Sequence, residues 1–221
     1  MKEISLHILD LAQNSIRAGA KNIVIRVLED NAADTFMVSI ADDGCGMAPE
    51  MVKAVQSPFV TTRTTRKVGL GIPLFAAGCE NCEGSFRLES EPGRGTCLTG
   101  TYRRSHIDRP PLGAIADTVA MLISANPALH FRYEHNRDGC AYALDTEELR
   151  RILGEIPLNA PEITTFIMEF INIAKQRQSV RSYNNKKVEP EKLEKILEAA
   201  HVAPTAANLQ PVHLIAVQKS E

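Results

Sequence analysis

Charge of one sign is scarce in this chain. Lys and Arg number 25 against 27 Asp and Glu, a net charge of −2, which excludes a strongly basic nucleic-acid binder at the level of the whole chain. No apolar run approaches the ~20 residues that a membrane-spanning helix needs. The best candidate, residues 119–123 (VAMLI), reads as a core segment. Cysteine is sparse and odd in number, five residues in 221, too few for a disulfide scaffold, so a reducing cytoplasm is the simplest home. The first fifteen residues carry Lys2, Glu3, His7 and Asp10 and lack the layout of a secretory signal. Internal repeats and low-complexity tracts are absent too. What is present is an ordinary globular composition, 44% hydrophobic and 24% charged. It argues against a mostly disordered chain, and the length predicts one or two domains.

The near-neutral average hides a seam. Residues 1–172 hold 17 Lys and Arg against 22 Asp and Glu, whereas residues 173–221 hold 8 against 5. Such an asymmetry marks the tail as a different piece. Before the seam, residues 2–18 predict an amphipathic helix, with Ile4, Ile8, Leu11, Ala12 and Ser15 at helical spacing and Gly19 as the stop. Residues 22–28 and 35–41 predict strands joined as a hairpin. A short helix follows over 48–55 with Pro49 in its first turn, then a polar loop over 56–70. Residues 72–82 return to helix, and 84–89 and 96–103 predict two more strands around Pro92-Gly93. Beyond a linker at Arg109-Pro-Pro111, a helix is expected over 113–124 and a hairpin over 129–134 and 140–144 about the turn Asn136–Gly139. Helices over 146–153, capped by Asp145 or Thr146, and over 161–170 complete the pass.

Three Gly-x-Gly pairs stand out, Gly44/Gly46, Gly69/Gly71 and Gly93/Gly95. Glycine there permits positive φ or close approach of backbone to a ligand. Neither G-x-x-x-x-G-K-[ST] nor a full G-x-G-x-x-G is present, so the two best-known nucleotide motifs fail. Asp10 and Asn14 lie four apart on one face of the first helix. That pair suits a general base beside an oxygen ligand for Mg²⁺, and it equally suits two solvated polar residues.

Taken in order, these pieces resemble one family. Residues 9–20, LDLAQNSIRAGA, are similar to the N box of the GHKL, or Bergerat-fold, ATPases, which include gyrase, the mismatch-repair ATPase, sensor histidine kinases and anti-sigma-factor kinases. Asp42-Asp-Gly44-Cys-Gly46-Met47 resembles the D-x-G-x-G box, and residues 57–63 the segment entering the ATP lid. Gly69-Leu70-Gly71 resembles the second glycine box, and Gly93-Arg-Gly95-Thr96 the last. The resemblance covers residues 5–103. It implies an α+β fold, a two-layer α/β sandwich with a mixed sheet and helices on one face, and a soluble Mg·ATP-binding core over 1–105.

The resemblance also implies roles. Asn14 would coordinate Mg²⁺, and Asp42 would accept a hydrogen bond from the adenine amino group. Gly44 and Gly46 would pass beside the base, with Met47 packed near it and Thr96 supporting it. Gly69, Leu70 and Gly71 would hinge the lid and present amides to the phosphates at a helix start. Arg63, Arg66 and Lys67 would reach the terminal phosphate, or remain solvated lid charges. Asp10 occupies the position of the catalytic Glu of hydrolytic members, with its carboxylate roughly 1.5 Å further back. A base must stand within ~3 Å of the proton or one water away. The expected activity is therefore a weak ATPase, or a protein Ser/Thr kinase acting on a regulatory partner, with a non-enzymatic ATP-dependent switch as an alternative. The box begins so near residue 1 that an upstream phosphoacceptor hairpin is not expected, and His7, inside the box helix, is not an expected phosphoacceptor. Residues 106–172 are expected to form a small α/β extension of undefined role. Cys79 and Cys82 form a lone C-x-x-C, which reads as packing rather than metal or redox chemistry.

The tail carries a second resemblance. Arg177-Gln-Ser179-Val-Arg181 and Ala203-Pro-Thr205-Ala-Ala-Asn208-Leu-Gln210-Pro211 are similar to the opening of FMN-dependent nitroreductases. The usual Trp after Gln-Pro is Val212, and the chain has no Trp at all. The resemblance implies that Arg177, Ser179 and Arg181 grip the FMN phosphate and that Thr205, Asn208 and Gln210 line the flavin. Residues 173–221 are too few to fold alone or complete such a site. They are read as a truncated segment that takes FMN only if completed, leaving a flavin oxidoreductase fragment as the other alternative. Partners beyond ATP and a regulatory protein, and the oligomeric state, do not follow from the sequence.

Overall fold

The alternation in residues 22–28 and 35–41 becomes an antiparallel hairpin, β1 (Asn22–Asp30) and β2 (Thr35–Asp42), with Ile23 opposite Asp42 and Asp30 opposite Thr35. The computed structural model describes residues 2–56 and 71–176. Around this hairpin stand α1 (Ile4–Arg17), α2 (Pro49–Gln56), α3 (Gly71–Asn81), β3 (Phe86–Glu91), β4 (Gly95–Arg103), α4 (Ile115–Ala125), β5 (His130–Arg137), β6 (Cys140–Asp145), α5 (Thr146–Leu153) and α6 (Pro161–Gln176).

The strands form one sheet in the order β3-β4-β2-β1-β5-β6. Every pair is antiparallel except β1 with β5, which run parallel with Asn22 opposite His130 and Glu29 opposite Arg137. The fold is thus a mixed α/β sandwich. Alternate residues point to one buried face, as the period of a strand requires: Ile23, Ile25 and Val27; Phe36, Val38 and Ile40; Phe131 and Tyr133. Helices α1 and α3 pack on this sheet, α4 lies against α1, and α6 against α4. Gly100 in β4 leaves room for the Phe75 ring and Cys79 of α3. Phe75 in turn meets Tyr102 and Phe86 edge-on at 6.0 and 6.2 Å.

Residues 106–172 contribute to the same sheet. Their hairpin adds β5 and β6 beside β1, and the carbonyls of Pro111 and Leu112 accept the first backbone N–H groups of α1, Ile4 and Ser5, both at 2.9 Å. Helix α6 runs past its expected end at residue 170, because Ile171, four residues after Ile167, continues the fully buried stripe. Helix α5 is capped by Asp145, whose carboxylate accepts the Glu147 N–H at 2.9 Å. Among the described residues no helix is long and apolar enough to cross a membrane.

Candidate functional site

The helical spacing of α1 sorts its polar residues. At 3.6 residues per turn, His7, Asp10 and Asn14 share one flank, while Leu9 and Ile16 share the other. Asn14 faces a cavity of about 280 Å³ whose walls also include Ser15, Asp42, Gly46, Met47, Ile72 and Thr96. Five of the sequence-predicted residues, Asn14, Asp42, Gly46, Met47 and Thr96, thus converge on one space. The volume is near the lower end for small-molecule sites, roughly 300 Å³.

Asp42 ends β2 with its carboxylate held from two sides. The Ser15 hydroxyl donates to Oδ2 at 2.6 Å and the Gly44 N–H to Oδ1 at 2.9 Å. A carboxylate has about four acceptor positions, so lone pairs remain for a donor in the cavity. Ser15 was missed as a site residue, although a serine within an apolar helical stripe is itself a signal: buried, it must find a partner. Ser90 of β3 was missed as well. Its hydroxyl accepts the Met47 N–H at 2.9 Å, donates to the Gly95 carbonyl at 2.9 Å and lies 2.9 Å from the Thr96 hydroxyl. No spacing announces such a residue. It joins the two glycine segments around residues 44–47 and 93–96.

Glycine is required at two of these places. Gly46 and Gly95 have φ of 64° and 95°, in the left-handed region that side chains avoid. A Cβ at Gly46 would overlap the Glu91 carbonyl, and one at Gly95 the Asp42 carbonyl. The Gly93 N–H closes the seam by donating to the Cys45 carbonyl at 2.8 Å.

Gly71 begins α3 and does a different task. A Cβ there would overlap Oδ2 of Asp10, so the missing side chain lets that carboxylate reach the first turn of α3. The Asn14 amide oxygen is a hard donor, the type Mg²⁺ takes when one or two protein ligands supplement phosphate oxygens. Among the described residues no group of three or more His, Cys, Asp or Glu forms an all-protein metal cage, and the Asn14 Oδ1 accepts from Arg17 at 3.3 Å. Arg63, Arg66, Lys67, Gly69 and Leu70, and all six residues implied for FMN (Arg177, Ser179, Arg181, Thr205, Asn208, Gln210), lie outside the described residues.

The cysteine pair behaves as packing. Cys79 and Cys82 are buried and unbridged. Burial pushes the Cys79 thiol up to about 11 and raises that of Cys82, which suppresses the reactive thiolate.

A second polar cluster occupies the β1-β5-β6 side. Asp145 accepts from the Glu147 N–H, from His130 Nε2 at 2.9 Å and from Arg132 at 3.1 Å. Burial pushes its carboxyl up, but His130, the Glu147 N–H and Arg132 outweigh this and hold it below the usual range. The other ring nitrogen of His130 meets Asn22 at 2.9 Å, and the Asn22 amide donates to Asp43 at 2.6 Å. Nearby, buried His135 donates from Nε2 to Glu29 at 3.0 Å, while the Tyr133 and Tyr142 hydroxyls lie 3.0 Å from Nδ1. The bond from His135 lowers the Glu29 pKa.

Comparison with known proteins gives two family matches. Residues 2–105 match the model of the histidine kinase-, DNA gyrase B-, and HSP90-like ATPase family, and residues 174–221 that of the nitroreductase family. Among curated relatives, the sensor protein kinase FleS of Pseudomonas aeruginosa is 37% identical over 92 residues, covering 42% of this chain and 23% of its own. Sporulation kinase C of Bacillus subtilis is 29% identical over 96 residues, covering 43% and 22%. The chain therefore spans less than a quarter of the length of these relatives. Among solved structures, the MutL ATPase domain of Aquifex aeolicus complexed with ADP aligns over 81% of this chain and 100% of its own, at 11% identity and a TM-score of 0.43.

Proposed function

We propose that the chain, whose residues 2–105 match the model of the histidine kinase-, DNA gyrase B-, and HSP90-like ATPase family, binds Mg·ATP in the cavity between α1 and β2 and uses it for slow phosphoryl transfer. The observation that supports this most is the convergence of Asn14, Asp42, Gly46, Met47 and Thr96 around one space. Asp42, fixed by Ser15 and Gly44, takes the adenine amino group, whose N–H matches its remaining lone pairs. Gly46 and Met47 line the base, and Thr96 is held behind it by Ser90. Asn14 would supply an oxygen to Mg²⁺, which when bound would neutralise phosphate charge. The first turn of α3 faces the phosphates, and its N–H groups favour anions. Gly69, Leu70, Arg63 and Lys67 complete the lid in this reading.

Asp10 of α1, whose carboxylate lies beside Gly71 at the start of α3, removes the proton from the acceptor. With water as acceptor the chain is a weak ATPase. With a Ser or Thr hydroxyl of a regulatory protein it is a kinase, a reading supported by the kinases among its relatives. Thermal unfolding tests the site: Mg·ATP at 100 times Kd should stabilise the wild type by about 2.7 kcal/mol. No shift would sink the proposal. Phosphate release then tests the base, with Asp10→Ala expected to abolish it while Mg·ATP binding persists.

A further inference from the structure

The end of the sheet at which β2 delivers Asp42 to the cavity also gathers Asn22, His130 and Asp145, from β1, β5 and β6. Asp43, between Asp42 and Gly44, joins them. Its Oδ1 accepts the Lys21 and Asn22 N–H groups at 2.7 and 2.8 Å, and its Oδ2 accepts the Asn22 side-chain amide at 2.6 Å. Burial pushes the Asp43 carboxyl up, but these bonds outweigh it and hold it below the usual range. An ionised carboxylate only accepts. The Asn22 NH₂ group must therefore face Asp43, and its Oδ1 must face His130, whose Nδ1 lies at 2.9 Å. The other ring nitrogen, Nε2, lies 2.9 Å from Asp145 Oδ1, a second acceptor. The imidazolium satisfies both oxygens, whereas a neutral ring donates to one alone. A bond to a carboxylate is the stronger, so the neutral ring keeps Nε2–H on Asp145 and turns a lone pair towards Asn22. Asp145 and, through Asn22, Asp43 favour the charged ring, as do Glu147 and Glu148 in the first turn of α5. Three cations oppose it: Arg132, which donates to Asp145 at 3.1 Å, Arg150, which donates to the Leu129 carbonyl at 2.6 Å, and Lys21, whose carbonyl accepts the His130 N–H.

We infer that His130 is a positioning residue for the nucleotide site, acting in its protonated form through Asn22 and Asp43. The inference rests on the Mg·ATP-binding reading. The imidazolium fixes the plane of the Asn22 amide, and Asn22 holds Asp43. Asp43 in turn sets the course of the chain from Asp42 to Gly44, whose N–H orients the Asp42 carboxylate at 2.9 Å. Loss of the ring proton takes the donor from Asn22 Oδ1 and loosens this segment. Mg·ATP binding thus weakens as pH rises through the range in which imidazoles change charge, about pH 5–8. His130 opens β5, so the parallel pairing of β5 with β1 gives residues 106–172 a hold on the nucleotide site.

The test measures the affinity of the full chain for Mg·ATP across about pH 5–8, for wild type, His130→Asn and His130→Gln. An Asn amide places an NH₂ group near the Nδ1 position and a Gln amide near the Nε2 position, and neither titrates. His130→Asn therefore keeps the donor to Asn22, and His130→Gln only the donor to Asp145. Wild type should match His130→Asn at the acid end. At the alkaline end it should bind about threefold more weakly and match His130→Gln, a change on the scale of part of one hydrogen bond. Ratios taken at each pH cancel the protonation of ATP itself. Thermal unfolding without nucleotide should rank the variants in the opposite order, with His130→Asn below His130→Gln, because the Asn variant gives up the bond to the carboxylate that caps α5. Affinities that follow this stability order would make His130 merely structural and overturn the inference, as would a ratio of wild type to His130→Asn that is flat across pH. Should His130→Asn not fold, the ratio of wild type to His130→Gln decides. Convergence on one at alkaline pH supports the inference, and a constant ratio overturns it. No binding by the wild type at any pH would overturn the nucleotide site and this inference with it.

Discussion

Asp42 and Asp145 are both the last residues of their strands, and both draw their donors from neighbouring elements. Their surroundings differ. Asp145 accepts from two backbone N–H groups of α5, from His130 and from Arg132, and its capacity is consumed. Asp42 accepts from Ser15 and Gly44 and faces a cavity with capacity to spare. A saturated carboxylate is a structural joint. A carboxylate that is held firmly yet left incomplete is prepared for a ligand.

Substitutions can break this contrast in graded steps. The largest effect is expected from Gly95→Ala, where a Cβ overlaps the Asp42 carbonyl at φ 95°. Strain of this kind costs 1–3 kcal/mol before any collision, so a loss of about 3 kcal/mol or more is expected, roughly 6–12 °C in Tm. Gly93→Ala, also at positive φ but with nothing within 4 Å, should cost about 1 kcal/mol, and equal losses would remove the collision from the account. Next comes Asp42→Asn, which should erase the nucleotide-linked stabilisation of about 2.7 kcal/mol. Asp145→Ala should do the reverse. It loses a helix cap and two side-chain partners, about 2 kcal/mol in urea unfolding, yet keeps the full Mg·ATP shift. If the two variants behave alike, the distinction between joint and site fails.

Acid separates the two regions by window. His7 has a folded pKa below its ordinary 6.5, so the unfolded chain binds the extra proton and stability falls as pH drops through 6.5. Glu29 and Asp145 are depressed from 4.5 and 3.8. Their contribution is complete above those values and is lost below them. A stability–pH curve should therefore fall in two stages, with His7→Leu deleting the upper one. The smallest effect belongs to Arg94→Ala. Its ion pair with Glu91 is well exposed, and its removal should change stability by less than about 0.5 kcal/mol.

Legibility followed the range of the interactions. The glycines at 44–46 and 93–95, the placement of Asn14 and Asp42 on one cavity, and the Asp145 cap could be read because each depends on a few consecutive residues or on helical spacing. Ser15 and Ser90 could not be assigned, since their roles arise only when strands bring residues 27 and 43 positions away into hydrogen-bond distance. The approach of Asp10 to Gly71 depends likewise on how α1 meets α3. The parallel pairing of β1 with β5 joins residues 108 positions apart. Each strand has its own local pattern, but that pattern is silent about which neighbour it chooses.

That pairing bears on how the protein can be handled in the laboratory. A fragment cut at residue 105, where the family match ends, would strip β1 of its parallel partner along eight residues, Asn22 to Glu29. It would also remove the carbonyls that seat the first turn of α1. The result is a long, bare sheet edge with apolar Ile23, Ile25 and Val27, an invitation to edge-to-edge aggregation. Expression designs that respect the sheet rather than the motif boundary should end after residue 176.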